Sequence, residues 1–310
     1  MPNLLAHRLL MHECIKDTDL DADTKSTLLL ATQGPDPLFY YGLMPWRAWH
    51  YLAAKRRYGS KIHHTDGKKF FTSLFKSYDE ITDEQQKKIF LAFIVGQYAH
   101  HLLDKNAHPF VYYYSGFNEE GRLKGRFHYE HANFESEIDS CLADIYPEID
   151  YRDHTEDALK TDKKILHAID KPLKNTMKDF LNVKVSRRYY TNSVKNMISM
   201  QKMSKHRWIR KITGKHSMFN ALYTDDEYSV DPLNLKHQTW YHPVTNEKRN
   251  DSFLDILMKV KDEFKEVIDA LSNGSFTPNL ILSKIDGIDY NGCTEGTRLT
   301  YWKEKENKDE

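Results

Sequence analysis

The chain has 310 residues, 40% of them hydrophobic and 13% aromatic, and Lys plus Arg equals Asp plus Glu at 45 each. That length and apolar content support a sizeable core and exclude wholesale disorder. The zero net charge excludes a global electrostatic case for nucleic acid or an acidic membrane as partner.

Leu4, Leu5, Leu9, Leu10 and Ile15 recur at helical spacing and predict a helix over 4–16, with His7 on it. Thr24 is expected to cap a second helix through Leu28, Leu29 and Leu30. Gln33-Gly34-Pro35-Asp36-Pro37 reads as a loop. Phe39, Tyr40, Tyr41 and Trp46 then form an aromatic stretch that could line a pocket or fill core. Residues 49–57 look helical, Gly59-Ser60 reads as a break, and His63-His64 precede a helix carrying Phe70, Phe71, Leu74 and Phe75.

Thr82-Asp83-Glu84-Gln85 resembles a capping box opening a long helix over 83–107, which Pro109 is expected to stop. A polar loop over 115–127 leads to a helix over 128–146. Further helices are expected at 155–170, 172–182, 186–203 and 251–272, with an irregular connection at 225–250. Strand signals are scarce, so the pattern predicts one all-α multihelical domain over 1–283 and a polar tail over 284–310.

Histidine is the outlier: 10 of the 16 fall before residue 132. His100, Asp104 and His108 stand four residues apart, so a helix puts them on one stripe. His131, Glu135 and Asp139 repeat the spacing on the next helix. Imidazole and carboxylate at i, i+4 suit zinc, iron or manganese. The competing reading is a pair of solvated polar faces, which for Asp139 stays open. Residues 205–215 form the one basic stretch with an aromatic. It suits nucleic acid, anionic lipid, or a solvated helix with Trp208, Ile209 and Ile212 turned inward. Cys14, Cys141 and Cys293 are too spread for a disulfide framework or a cysteine-based zinc site. Without a signal-peptide pattern or a long apolar run, the expected location is cytoplasmic.

Read in order, several segments carry a resemblance: Met-Pro-Asn-Leu-Leu-Ala-His7, Gln33-Gly-Pro-Asp36-Pro, Gly59-Ser-Lys-Ile-His63, His100-His-Leu-Leu-Asp104-Lys-Asn-Ala-His108-Pro and His131-Ala-Asn-Phe-Glu135. As a set they resemble the zinc-dependent phospholipase C family, which shares its fold with fungal and plant single-strand nucleases. The intracellular branch found in Firmicutes is the nearest in pattern. The resemblance implies a cluster of two or three zinc ions. Asp36, His63, His100 and Asp104 would bind the first. His108 would turn to the second with His131 and Glu135, and His7 would bind a third that Asp104 bridges to the first. His64, His101 and His128 neighbour these ligands; the family register selects His63, His100 and His131.

The implied activity is metal-dependent hydrolysis of a phosphate ester, with a small phosphodiester or phospholipid as substrate and Asp36 as catalytic base. A single-strand nuclease of the same fold and a non-catalytic metal-binding protein are the alternatives. No stable nucleic-acid complex is expected.

Overall fold

Acidic and hydroxyl side chains just ahead of four of the helices accept backbone N–H groups and set where those four begin. Asp21, rather than Thr24, does this for α2 (Ala22–Ala31): its carboxylate accepts from the N–H groups of Asp23 and Thr24. Asp83 caps α5 (Glu84–Ser115), Asp162 caps α7 (Lys163–Leu181), and Ser252 and Asp255 form a reciprocal capping box on α11 (Phe253–Asn273). The computed structural model describes residues 4–43, 57–65, 67–214, 216–223, 231–294 and 297–300. Within them the remaining helices are α1 (Leu4–Ile15), α3 (57–63), α4 (Gly67–Asp79), α6 (Arg126–Ile145), α8 (Tyr189–Ser204), α9 (Arg207–Thr213), α10 (Met218–Ala221) and α12 (Asn279–Leu282). The expected all-α fold is therefore observed. The strands among the described residues are Trp240–Tyr241 and Lys248–Arg249, an antiparallel pair in which Trp240 faces Arg249. Gly59 and Ser60, expected to break the chain, lie inside α3. Trp46 and most of the helix expected at 49–57 lie outside the described residues.

The core is organised around α5, which packs against α1, α2, α4, α6, α7 and α11. From Ala92 to Asp104 every residue of this helix is buried, so its polar stripe faces protein and not solvent. Gly96 is the crossing point with α2: a Cβ there would lie 2.5 Å from the Cβ of Ala31, so only glycine allows this approach.

Pro109 does not stop α5. It removes one helical hydrogen bond, which costs about 3 kcal/mol. Continuing to Ser115 buries Phe110, Val111 and Tyr112, at roughly 1.5–3 kcal/mol per large apolar side chain, and that outweighs the loss. Pro172 is likewise inside α7, joining what the sequence divides at 171. The Ala168 carbonyl that Pro172 leaves without a helical donor accepts from Gln86 Nε2 at 3.0 Å. The turn before α7, Arg152–Leu159, is 3-10 helix and not the α-helix expected from 155.

Residues 284–294 depart from the reading of a polar tail. Ile285 and Tyr290 are buried in the main core, and Leu299 packs with Tyr112 and Phe117 in a smaller cluster. No helix among the described residues is long and apolar enough to cross a membrane.

Candidate metal centre

Five elements deliver buried ligand-type side chains to one place. α1 brings His7; the 3-10 helix Asp36–Tyr40 brings Asp36; α3 ends on His63. α5 brings His100, Asp104 and His108, and α6 brings His131 and Glu135. All eight are buried. They form three groups whose ligand atoms lie within 4.8 Å of one another: Asp36, His63 and His100; His7, His100 and Asp104; His108, His131 and Glu135. Such groups could hold metal ions. Every metal-ligating residue expected from the sequence is in one of them.

Asp104 is at the centre. Its Oδ1 lies 3.1 Å from His7 Nε2, and its Oδ2 lies 3.0 Å from His100 Nε2, 3.8 Å from His63 Nε2 and 3.9 Å from His108 Nδ1. Asp36 Oδ1 is 3.0 Å from His63 Nε2, and Glu135 Oε1 is 3.2 Å from His131 Nε2 and 3.6 Å from His108 Nε2. Two ligands on one tetrahedral zinc, each about 2.0–2.1 Å away, stand about 3.3 Å apart. The observed separations bracket that value.

Two further observations fit metal better than an ordinary hydrogen-bond network. The first is unpaired polar atoms. His100 Nε2 and Asp36 Oδ2, 3.8 Å apart, are both buried without a hydrogen-bond partner, although Asp104 Oδ2 lies only 3.0 Å from that nitrogen. Leaving a buried donor or acceptor unmade costs about 1–3 kcal/mol, so a ligand that satisfies them is stabilising. The second is orientation. His63 Nδ1 donates to Gly59 O at 2.9 Å, His100 Nδ1 donates to Thr32 O at 2.9 Å, and His108 Nδ1 donates to Tyr290 O. With the proton fixed on Nδ1, each ring presents its Nε2 lone pair to the centre. Gly34 makes the room: its φ is +55° and a Cβ there would lie 2.2 Å from His100 Cδ2.

The electrostatics agree. Burial pushes the Asp104 carboxyl up, but His100 and His108 outweigh it and hold the group well below the usual carboxylate range. Burial lowers His108, yet without an ion Asp104 and Glu135 raise it to about 9, so a metal bound at Nε2 would displace a proton from that ring. Burial, reinforced by His100, lowers His7.

The neighbouring histidines separate cleanly. His64 and His128 are exposed. His101 is buried with Nε2 donating to Ile288 O, outside all three groups, and burial pushes it down to about 4. His108 reaches Glu135 from within a continuous helix; no turn at Pro109 is needed.

Two supporting residues escape sequence reasoning. Asp139, open between ligand and solvated face, is neither: it is buried and accepts from Leu5 N at 2.9 Å and Ala6 N at 3.0 Å. It thus caps α1 from another helix and anchors His7. Tyr290, inside the supposed tail, lends its carbonyl to His108 and packs its ring 4.8 Å from that of His63. Its hydroxyl is buried without a partner. Of the aromatic stretch, Tyr40 and Tyr41 are core, while Phe39 packs 5.2 Å from His63. A cleft lined by His7, Asp104, His108 and Glu135, with Val111 and Phe253 on its apolar side, lies between two of the groups. No family model, curated protein or solved structure matches the chain.

Proposed function

We propose that the protein is a metal-dependent hydrolase of phosphate esters, phospholipase C-like in its chemistry, acting on a small phosphodiester or a phospholipid. The observation that carries this reading is the set of three adjoining His/carboxylate groups around Asp104. A multinuclear zinc cluster, when bound, lowers the pKa of water toward 7 and neutralises a phosphodiester. The residues of the first and second sites would be Asp36, His63, His100 and Asp104, and His108, His131 and Glu135, with His7 completing a third.

The chain's own part is to hold ligands and move a proton. Asp104 ties the groups together. Asp36 is fixed between Pro35 and Pro37 at the start of its 3-10 helix, and its Oδ2 has no hydrogen-bond partner. Whichever of its two oxygens an ion does not take up would accept a proton from attacking water, the general-base role. Burial of the ligand set excludes bulk water and strengthens each charge interaction with a substrate.

The test is turnover of a generic phosphodiester by the full chain, before and after dialysis against a chelator. The reading expects a rate above background that chelation abolishes and added zinc restores. A metal-loaded protein without turnover on any phosphodiester would leave a metal-binding protein and overturn the hydrolase.

A further inference from the structure

We propose that α8 and α9 form a docking surface for an anionic lipid bilayer. The charge of this molecule sums to zero, but it is not evenly spread. Residues 180–224 contain ten Lys or Arg and no Asp or Glu. Lys195 and Lys202 stand seven residues apart along α8, which puts them on one stripe, Arg188 immediately precedes the helix, and all three are exposed. Arg207 and Lys211 are exposed on α9. Among the described residues, no ion pair engages any of these five; Lys205, bonded to Glu156, is the paired cation of the segment.

The same short helix displays apolar side chains outward. Ile209 is buried, as expected, but Trp208 is 64% exposed and Ile212 76% exposed, contrary to the inward reading. Trp208 and Ile212 are four residues apart and therefore share a face, with Arg207 and Lys211 beside them. Arg210 is drawn back over the ring of Tyr223, 3.6 Å from its centroid. An indole and an aliphatic tip ringed by cations suit a bilayer interface, where indole sits at the headgroups and apolar side chains enter the acyl boundary. A single-stranded nucleic acid fits less well. Its binding tracks need successive stacking aromatics, and an exposed isoleucine adds nothing to base stacking.

The surface is tied to the metal centre. Asn196 of α8 donates to the carbonyl of Tyr40 at 3.0 Å, in the 3-10 helix that begins with Asp36. Ser136, next to Glu135, donates to the carbonyl of Ala221 in α10, which follows α9. A bilayer docked on α8 and α9 is therefore connected through these hydrogen bonds to elements that carry ligand residues. Docking itself does not depend on the hydrolase reading.

The experiment is co-sedimentation of the full chain with phosphatidylcholine vesicles, with and without phosphatidylglycerol, at low and physiological salt. The proposal expects binding only when phosphatidylglycerol is present, weakened by salt. Arg207→Gln with Lys211→Gln should weaken it about 25-fold, at about fivefold per cation. Trp208→Ser with Ile212→Ser should weaken it at least about tenfold. Both pairs are on the surface, so helicity and metal content should stay as in the parent chain, which separates loss of docking from loss of the metal site. Three results would overturn the proposal: no sedimentation with phosphatidylglycerol vesicles at low salt; unchanged binding by the Trp208/Ile212 variant; or displacement from vesicles by a single-stranded oligonucleotide whose binding needs Trp208.

Discussion

His7 Nε2 lies 3.1 Å from Asp104 Oδ1, which joins the first helix of the chain to the middle of the central one. Asp104 also faces His100, His63 and His108, whereas His7 faces it alone among the carboxylates of the groups. The two residues should therefore fail differently. His7→Ala should remove about one metal equivalent and leave the remaining groups loaded. Asp104→Asn should weaken binding at more than one group, by at least about 100-fold, since even supporting residues of metal sites carry 10–100-fold. Metal content of the two purified variants checks this; equal losses would argue against a central Asp104.

Asp139 supports His7 without touching a ligand atom. It satisfies two N–H groups that the first turn of α1 cannot satisfy internally. Asp139→Ala should cost about 1–2 kcal/mol of stability, as other lost helix caps do. It should also lower affinity for the ion held by His7 about 10–100-fold, because the helix start is no longer fixed. Denaturant titration and metal titration of the same variant read the two effects separately.

The segment after α12 holds His108 and His63 by the main chain of Tyr290 and the side-chain amide of Asn291. Tyr290 O accepts from His108, Tyr290 N donates to His63 O at 3.3 Å, and Asn291 Nδ2 donates to the same oxygen at 3.2 Å. Removing residues 284–310 should thus lower metal affinity about 10–100-fold. Tyr290→Phe keeps the backbone contacts and removes only an unpartnered buried hydroxyl, so it should retain metal and match or exceed the parent in stability. Metal loss in Tyr290→Phe would show that the hydroxyl, and not the main chain, is what matters.

His101 gives the fold a pH dependence apart from the ligands. Burial is the main cause, with Lys105 adding to it, and the group falls from 6.5 to about 4. The unfolded chain then binds a proton that the folded chain refuses. The associated stability is present in full above about pH 6.5 and is lost as pH falls through 4. The span corresponds to about 3 kcal/mol. Denaturation of metal-free protein from pH 7 to 4 should show the parent chain losing about that much more than His101→Gln. Parallel curves would contradict it.

The helices and five of the ligand-type residues, His100, Asp104, His108, His131 and Glu135, were legible from local periodicity, because i, i+4 spacing is written in the sequence wherever a helix forms; His7, Asp36 and His63 have no such spacing and were pointed to only by the resemblance. Prolines misled for a physical reason. The local cost at Pro109 and Pro172 is real, but distant partners offset it, among them the buried run Phe110–Tyr112 and the Gln86 side chain that takes up the Ala168 carbonyl. Asp139 had the right spacing for a ligand and serves instead as a cap, because its partner helix lies 133 residues away. Tyr290 left no local signal: its bond to His108 spans 182 residues and uses a backbone atom that every residue type has. Trp208 and Ile212 were placed inward by their apolarity alone, yet α9 is too short to bury more than Ile209.

The central claim is that the three groups around Asp104 are a metal centre. Elemental analysis of the purified full chain, with an X-ray fluorescence scan to identify the element, tests it most directly. The account predicts two or three equivalents of zinc, or of iron or manganese, per chain. Fewer than about two equivalents, in protein purified without chelator and then offered zinc, would contradict it.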